Sequence, residues 1–261
     1  MCSTCGCGEG GARVSALDER GRTYDDHHDH DHGPGAGAHG HGSPVPPESG
    51  TRTHTLELEV AVLAKNDELA AANRSWLAAR RITAVNLMSS PGAGKTTLLE
   101  RTIQAATRSV SVVEGDQETL FDARRIRQAG ARAVQVNTGA GCHLDAAMVA
   151  RALARLGPDE DSVLFIENVG NLVCPALFDL GEKRKVVVVS VTEGDDKPLK
   201  YPHMFAAADV VVLNKTDLLP YVDFDTGRFT ADARSLNRHV EVLPVSARTG
   251  ANLEAWYEWL G

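Results

Sequence analysis

No stretch of the chain approaches the 18 or more consecutive apolar residues of a membrane-spanning helix, so no membrane partner is expected. A basic excess is missing too: 27 Lys and Arg against 35 Asp and Glu leave a net charge of −8. A nucleic-acid binder would carry a basic face, so no nucleic acid is expected either. The first residues lack the basic-then-apolar order of a secretory signal, which makes the reducing cytoplasm the expected compartment. In that compartment five cysteines, an odd number, do not describe a disulfide framework and read as metal ligands or buried thiols. No internal repeat recurs.

Up to about residue 54 even short apolar runs are scarce, and Gly, Asp, His, Pro and Ser dominate. Such a segment cannot bury enough apolar surface to offset its ordering entropy, so residues 1–54 are expected to form a disordered tail. What the tail has in plenty is metal-binding chemistry. Cys2, Cys5 and Cys7 place three thiols within six positions, and His27, His28, His30, His32, His39 and His41 follow among Asp, Gly and Pro. The cysteines are close enough to chelate one ion, and mixed N/S ligation suits nickel. The histidine run would hold several ions weakly; a solvated linker is its plain alternative.

Residues 55–261 suffice for one well-buried domain. The stretch 55–80 spaces apolar residues at three- and four-residue steps, which predicts an amphipathic helix, broken near Asn66–Asp67. Short apolar runs at 82–88, 110–115, 131–137, 162–168, 185–193, 208–215 and 239–246 read as strands. Helical segments near 118–129 and 143–156 alternate with them, and 250–260 closes the chain as a helix. Continuous apolar strands between helical crossovers predict an α/β fold, a P-loop NTPase domain with a mostly parallel, doubly wound sheet covered on both faces.

Between the first of these strands and its helix lies SSPGAGKTTLLE (89–100), where Gly94, Lys95 and Thr96 complete a phosphate-binding loop pattern and Ser89 replaces its first glycine. Gly92 and Gly94 let backbone N–H groups approach phosphate, and the helix that follows points its positive end at the anion. Gly92, Ala93, Gly94, Lys95, Thr96 and Thr97 are the candidate phosphate contacts. Lys95 would pair with β- and γ-oxygens, and the Thr96 hydroxyl would ligate Mg²⁺. Further on, Asn214, Lys215 and Asp217 in NKTD follow a strand, at the sheet edge where such folds bind ligands. The Asp217 carboxylate can accept from N1–H and the exocyclic amine of guanine, a pairing adenine does not offer. Ser246, Ala247 and Arg248 form a second loop of the kind that touches guanine O6 through its backbone. Together they select GTP and GDP. Two acidic strand ends complete the set: Asp116 in EGD, and Glu167 with Gly170 in ENVG, where Gly170 would be the backbone donor that feels the γ-phosphate. Glu167 or Asp116 would hold Mg²⁺, and Asp116 could also orient the attacking water; Lys95, Asp116 and Glu167 are the candidate catalytic residues.

Cys142 and His143, in TGAGCHLD, and Cys174, in ENVGNLVCP, flank this machinery. Thiolate and imidazole donors suit Zn²⁺ or Ni²⁺, with water or a second subunit as the fourth ligand. Buried structural thiols are the alternative.

With MCSTCGCG, PGAGKTT, TGAGCHLD, ENVGNLVCP, TEGDDKPLKYP and NKTDLLPY in place, residues 1–7 and 55–261 resemble the hydrogenase nickel-incorporation GTPases of the HypB family. The resemblance implies a slow GTPase and metallochaperone that helps deliver Ni²⁺ to the large-subunit precursor of [NiFe]-hydrogenase. It also implies a HypA-type partner metallochaperone and a GTP-dependent homodimer. Carried over by motif, the family's tail nickel site falls on Cys2, Cys5 and Cys7, and its domain metal site on Cys142, His143 and Cys174. The rival readings are a urease-type nickel-insertion GTPase, which CHLD and NLVCP disfavour, a nickel store with regulatory GTP binding, and a kinase, which NKTD disfavours.

Overall fold

The computed structural model describes residues 13–17, 23–24, 51–116, 121–139 and 141–261. Along the chain the elements are β1 (Arg13–Leu17), β2 (Thr23–Tyr24), α1 (Thr51–Ala79), β3 (Thr83–Ser89), α2 (Lys95–Ala105), β4 (Val110–Asp116), α3 (Phe121–Gln128), β5 (Arg132–Asn137) and α4 (Ala146–Leu156). They continue as β6 (Val163–Gly170), β7 (Arg184–Ser190), α5 (Lys197–Lys200), α6 (Pro202–Ala206), β8 (Val210–Asn214), α7 (Thr226–Leu236), β9 (Glu241–Pro244) and α8 (Leu253–Leu260).

Seven strands run parallel in the order β5-β4-β6-β3-β7-β8-β9. The Val-rich sequences of β7 and β8 are buried on both faces, as a central parallel strand requires. Alternate residues divide the core. Val85, Leu87, Phe165, Val186 and Val212 face Leu98 and Leu99 of α2, Ile126 of α3, and Trp256 of α8. On the other face Ala84, Val113, Leu164 and Ile166 meet Leu77 of α1 and Val149 and Leu153 of α4. Farther along that face Met88, Val187 and Val211 meet Phe205 of α6 and Phe229 of α7.

A polar seam separates these last two clusters, because Asn86 lies between Ala84 and Met88 on the same side of β3. Asn168 Nδ2 donates to Asn86 Oδ1 at 3.4 Å, and Asn86 Nδ2 donates to Glu182 Oε1 at 3.1 Å. The Leu180 N–H reaches Glu182 Oε2 at 2.8 Å. Burial raises the Glu182 pKa, while Lys185 at 3.7 Å and these donors oppose that rise.

Three differences from the sequence expectation have physical causes. Inside the span 1–54 taken as tail, β1 pairs antiparallel with β5 and β2 with β1, since β5 otherwise leaves a row of backbone groups open at the sheet edge. α1 likewise starts at Thr51, ahead of the boundary drawn at residue 54, and runs unbroken through Asn66. The expected break is absent because Asn66 is buried against other segments instead of turning back on its own backbone. α7 was not legible: its stretch TGRFTADARSL is poor in strong helix formers and buries only Phe229 and Ala233, but Asp225 caps it by accepting from the Arg228 N–H at 3.0 Å. Cys2, Cys5, Cys7 and the six tail histidines lie outside the described residues.

Candidate functional site

The C-terminal ends of β3, β4 and β6 converge on a cavity of about 560 Å³. The loop leaving β3 supplies Gly92, Gly94, Lys95, Thr96 and Thr97 to its lining. Gly92 and Gly94 take φ of +75° and +99°, a region that penalises any residue with a Cβ. At Gly94 a Cβ would also stand 2.5 Å from Asn214 Nδ2. No side chain caps α2, so its first-turn N–H groups are left to a ligand. Lys95 Nζ donates to Ser89 Oγ at 2.7 Å; the serine that replaces the motif's first glycine thus holds the lysine across the loop.

Cross-loop contacts join this cradle to a second cavity, of about 350 Å³, lined by Asn214, Lys215, Asp217, Ala247 and Arg248 among others. Asn214 Nδ2 donates to Ala93 O at 2.9 Å while its Oδ1 accepts from the Ala247 N–H at 3.0 Å. Lys215 Nζ reaches Gly92 O at 2.7 Å. Asp217 Oδ1 accepts from Ser246 Oγ at 2.6 Å. Arg101, on α2, donates to the carbonyls of Ala247 and Arg248 at 3.1 and 2.9 Å. The two cavities share Gly94, Thr97 and Lys215, which suits a ligand with a phosphate end and a base end.

Carboxylates close the phosphate end. Thr96 Oγ1 donates to Glu167 Oε1 at 2.9 Å, whereas Glu167 Oε2 is buried without a partner among the described residues. Burial raises the Glu167 pKa; Lys95 and the Thr96 hydroxyl pull it back. Asp116 lines the same cavity. Glu114 stands opposite Glu167 in the parallel register, and its Oε2 is also buried without a partner. Burial, reinforced by Glu167 and then Asp116, pushes its pKa up to about 9. A hydroxyl beside buried carboxylates with unused oxygens is the donor set of a hard divalent cation, so Mg²⁺ fits here. Gly170 abuts the phosphate loop: a Cβ on it would be 3.0 Å from Pro91 N and Cα.

Glu114 and Arg125 were missed in the sequence. A charged residue inside the otherwise buried run VSVVEGD was the available signal for Glu114. Arg125 holds both oxygens of Glu100, at 2.9 and 2.6 Å, and reaches Thr97 Oγ1 at 3.2 Å, tying α3 to α2; nothing in its local sequence marked it.

Beyond Gly170 the chain carries Cys174, and the loop before α4 carries Cys142 and His143. Their donor atoms lie within 4.8 Å of one another. Cys142 Sγ is 3.0 Å from Cys174 Sγ and 3.6 Å from His143 Nδ1. The three side chains are half-buried, and the His143 ring stacks on Phe178 at 3.9 Å. Burial lowers the His143 pKa, which favours the neutral imidazole that a metal ligand must be. Two soft thiolate donors and an imidazole fit Ni²⁺ or Zn²⁺. Asn168 joins this centre to the nucleotide cavity it lines: its Oδ1 accepts from the Leu144 N–H at 3.1 Å and from the Val169 N–H at 3.0 Å. Among the described residues, no helix is long and apolar enough to cross a membrane.

Comparison with known proteins agrees with this geometry. Residues 83–244 match the family model described as CobW/HypB/UreG, nucleotide-binding domain. The hydrogenase maturation factor HypB of Rhizobium leguminosarum bv. viciae is 60% identical over 201 residues, which are 76% of this chain and 67% of that protein. Two crystal structures are similar as well. HypB from Archaeoglobus fulgidus shares 42% identity at a TM-score of 0.71, over 76% of this chain and 98% of that one. HypB from Helicobacter pylori, solved in complex with nickel, shares 40% identity at 0.72, over 75% and 93%.

Proposed function

Because the chain belongs to the HypB hydrogenase maturation factors of the CobW/HypB/UreG nucleotide-binding family, we propose that it is a GTP-hydrolysing nickel carrier serving the large-subunit precursor of a [NiFe]-hydrogenase. The observation that carries this reading is a single segment. Glu167, Gly170 and Cys174 follow one another along β6 and its exit, so one short segment carries the carboxylate bonded to Thr96, the glycine against Pro91 and a thiol of the metal cluster.

In this mechanism the phosphates of GTP lie on the backbone N–H groups of Gly92, Ala93 and Gly94 and on the start of α2. Lys95 Nζ turns from Ser89 to the β- and γ-oxygens. Thr96, with Glu167 or Asp116, would hold Mg²⁺, which would neutralise phosphate charge. One of these two carboxylates, with Asp116 the candidate, would orient the attacking water. Asp217 accepts from guanine, Asn214 and Lys215 brace the base loop, and Ser246–Arg248 meet O6 through their backbone. Ni²⁺ is cargo: Cys142, His143 and Cys174 bind it, or Zn²⁺, in the domain, and Cys2, Cys5 and Cys7 bind it on the tail. A HypA-type metallochaperone and a second copy of the chain are the expected partners, in the cytoplasm. The nickel of the Helicobacter pylori relative supports the metal assignment.

The experiment is a separation of functions in the full-length chain. Cys2→Ala with Cys5→Ala should lose tail-bound nickel and leave GTP turnover within about twofold of the parent, because every group assigned to the nucleotide lies between residues 92 and 248. Hydrogenase maturation in a strain lacking its own factor should then require added nickel. Loss of GTP turnover in that variant would show that the tail is part of the catalytic unit; maturation with no nickel requirement would remove its cargo role.

A further inference from the structure

α1 hydrogen-bonds to the chain segments that carry the metal ligands. Asn66, Ala70, Asn73 and Leu77 recur at four-, three- and four-residue steps and so form one stripe of the helix, and all four are buried. The apolar members pack as expected. The two asparagines each span the two chain segments that carry the metal ligands. Asn66 Oδ1 accepts from the Ala146 N–H at 2.9 Å, and its Nδ2 donates to Asp179 O at 2.8 Å. Asn73 Nδ2 donates to Ala146 O at 2.8 Å and to Leu180 O at 3.1 Å. Ala146 lies three residues past His143, and Asp179 five past Cys174. One partner of Asn66 is a donor and the other an acceptor, which fixes the orientation of its amide.

Other contacts bring the helix against the second segment. Arg74 holds both carboxylate oxygens of Asp179 at 2.7 Å. Gly181, at φ +91°, sits so close that a Cβ would be 2.6 Å from Ala70 O and 2.7 Å from Asn73 Cβ. Phe178, in the same segment, carries the stacked ring of His143. The segments also touch directly, since Asn168 Oδ1 accepts from the Leu144 N–H at 3.1 Å and Asn171 Nδ2 donates to Cys142 O at 3.4 Å, but Cys142 and Cys174 are 32 positions apart and α1 adds further ties that span both segments.

We propose that α1 is a clamp that fixes the spacing of the metal site's two arms, with Asn66 and Asn73 as its positioning residues. Each asparagine bridges the arms through one side chain, so shortening either removes a tie and lets one arm shift against the other, and shortening Asn66 also strands the first N–H of α4, that of Ala146. Metal geometry tolerates little such movement, and loss of outer supports of this kind costs about 10- to 100-fold in metal affinity. The inference rests on the reading of Cys142, His143 and Cys174 as a metal site.

The test uses the full-length chain with Cys2, Cys5 and Cys7 changed to Ser, so that the thiolate-to-metal charge-transfer band on Ni²⁺ addition reports only Cys142 and Cys174. Asn66→Ala and Asn73→Ala are each expected to weaken the Ni²⁺ affinity read from that band by roughly tenfold or more. Affinity for a non-hydrolysable GTP analogue should stay within about twofold, as for a distant site. Leu77→Ala, which opens a cavity in the same stripe but leaves every bridging bond in place, is the control: it should lower the melting temperature and spare the Ni²⁺ affinity. Equal loss of affinity in Leu77→Ala would mean general destabilisation and overturn the clamp, as would unchanged affinity in both asparagine variants. Should Asn73→Ala not fold, Asn66→Asp decides: it keeps the acceptor for Ala146, loses the donor to Asp179, and should still weaken Ni²⁺. A parent protein with no charge-transfer band at all would withdraw the metal site and the clamp with it.

Discussion

Around the nucleotide cavities, side chains from one loop or helix reach the backbone of another loop: Asn214 holds Ala93 and Ala247, Lys215 holds Gly92, and Arg101 holds Ala247 and Arg248. At the metal site the three donor residues are half-buried, Cys142 and Cys174 lie on segments 32 residues apart, and α1 adds bonds to both segments beyond those that Asn168 and Asn171 make between them. The nucleotide cradle is thus tied by its own loops, and the metal site also by a helix that carries none of its ligands. A cradle of the first kind fails only when one of its own contacts is lost. A centre of the second kind responds to whatever shifts its supports, which would suit the proposed release of bound nickel.

The largest expected effect breaks the cradle at its base end. Asp217→Asn replaces an acceptor oxygen with a donor amide, leaving the guanine amine badly paired and creating a partner for the 2-oxo group of xanthine. A site built on such hydrogen bonds loses on the order of 10³-fold or more in affinity when the pairing is reversed. The expected outcome is weak GTP binding and preferred XTP binding, measured by competition with a fluorescent nucleotide. Comparable GTP and ATP affinity in the unmodified protein would overturn the guanine assignment.

How much of this was legible follows the same division. The phosphate loop, NKTD and SAR are local patterns, since each needs a few consecutive residues to put backbone N–H groups or one carboxylate at a strand end, and some residues of each line the two joined cavities. The parallel sheet was legible for a similar reason: continuous Val-rich runs have nowhere to go but a sheet covered on both faces. Cys142, His143 and Cys174 could be suggested by type, but their 3.0 Å approach depends on how β6 lies beside the loop before α4. Glu114 hid in a strand read as apolar. Asn66 was misread as a helix break because its short polar side chain competes with a helix when exposed; only the tertiary partners Ala146 and Asp179 reveal why it is there.

A smaller effect sharpens the contrast by cutting one site and sparing the other. Lys95→Ala removes the charge that Ser89 holds over the phosphate loop, and turnover of GTP should fall about 10²- to 10³-fold, the usual cost of losing one preorganised group on a developing charge. The thiolate band on Ni²⁺ addition should be unchanged. Cys174→Ala should do the reverse, abolishing the band and leaving GTP affinity within about twofold. A variant that damages both readouts equally would mean that the nucleotide and metal sites fold as one inseparable unit.

The smallest effect concerns the link between the two sites. Gly170 lies against Pro91 of the phosphate loop, so a γ-phosphate that draws Gly170 inward also moves Cys174, four residues on. Asn168 offers a second route, because its Oδ1 is shared between Val169 of this strand and Leu144, the neighbour of His143. Any displacement therefore reaches both arms of the metal centre, though not equally, since one arm is pulled by the backbone and the other through a side-chain bond. The Ni²⁺ affinity should differ about tenfold between the GDP form and a non-hydrolysable GTP form, which takes only about 1.4 kcal/mol of coupling. By linkage, bound Ni²⁺ must change the affinity for the two nucleotides by the same factor, so the nucleotide titration checks the metal titration independently. Asn168→Ala should bring the factor down towards the part that Gly170 alone transmits, with each affinity still measurable. If the parent binds Ni²⁺ equally in both nucleotide states, the nucleotide and metal sites are neighbours without communication. If Asn168→Ala leaves a measured factor unchanged, the signal runs along the backbone from Gly170 to Cys174, and the shared oxygen only satisfies two buried N–H groups.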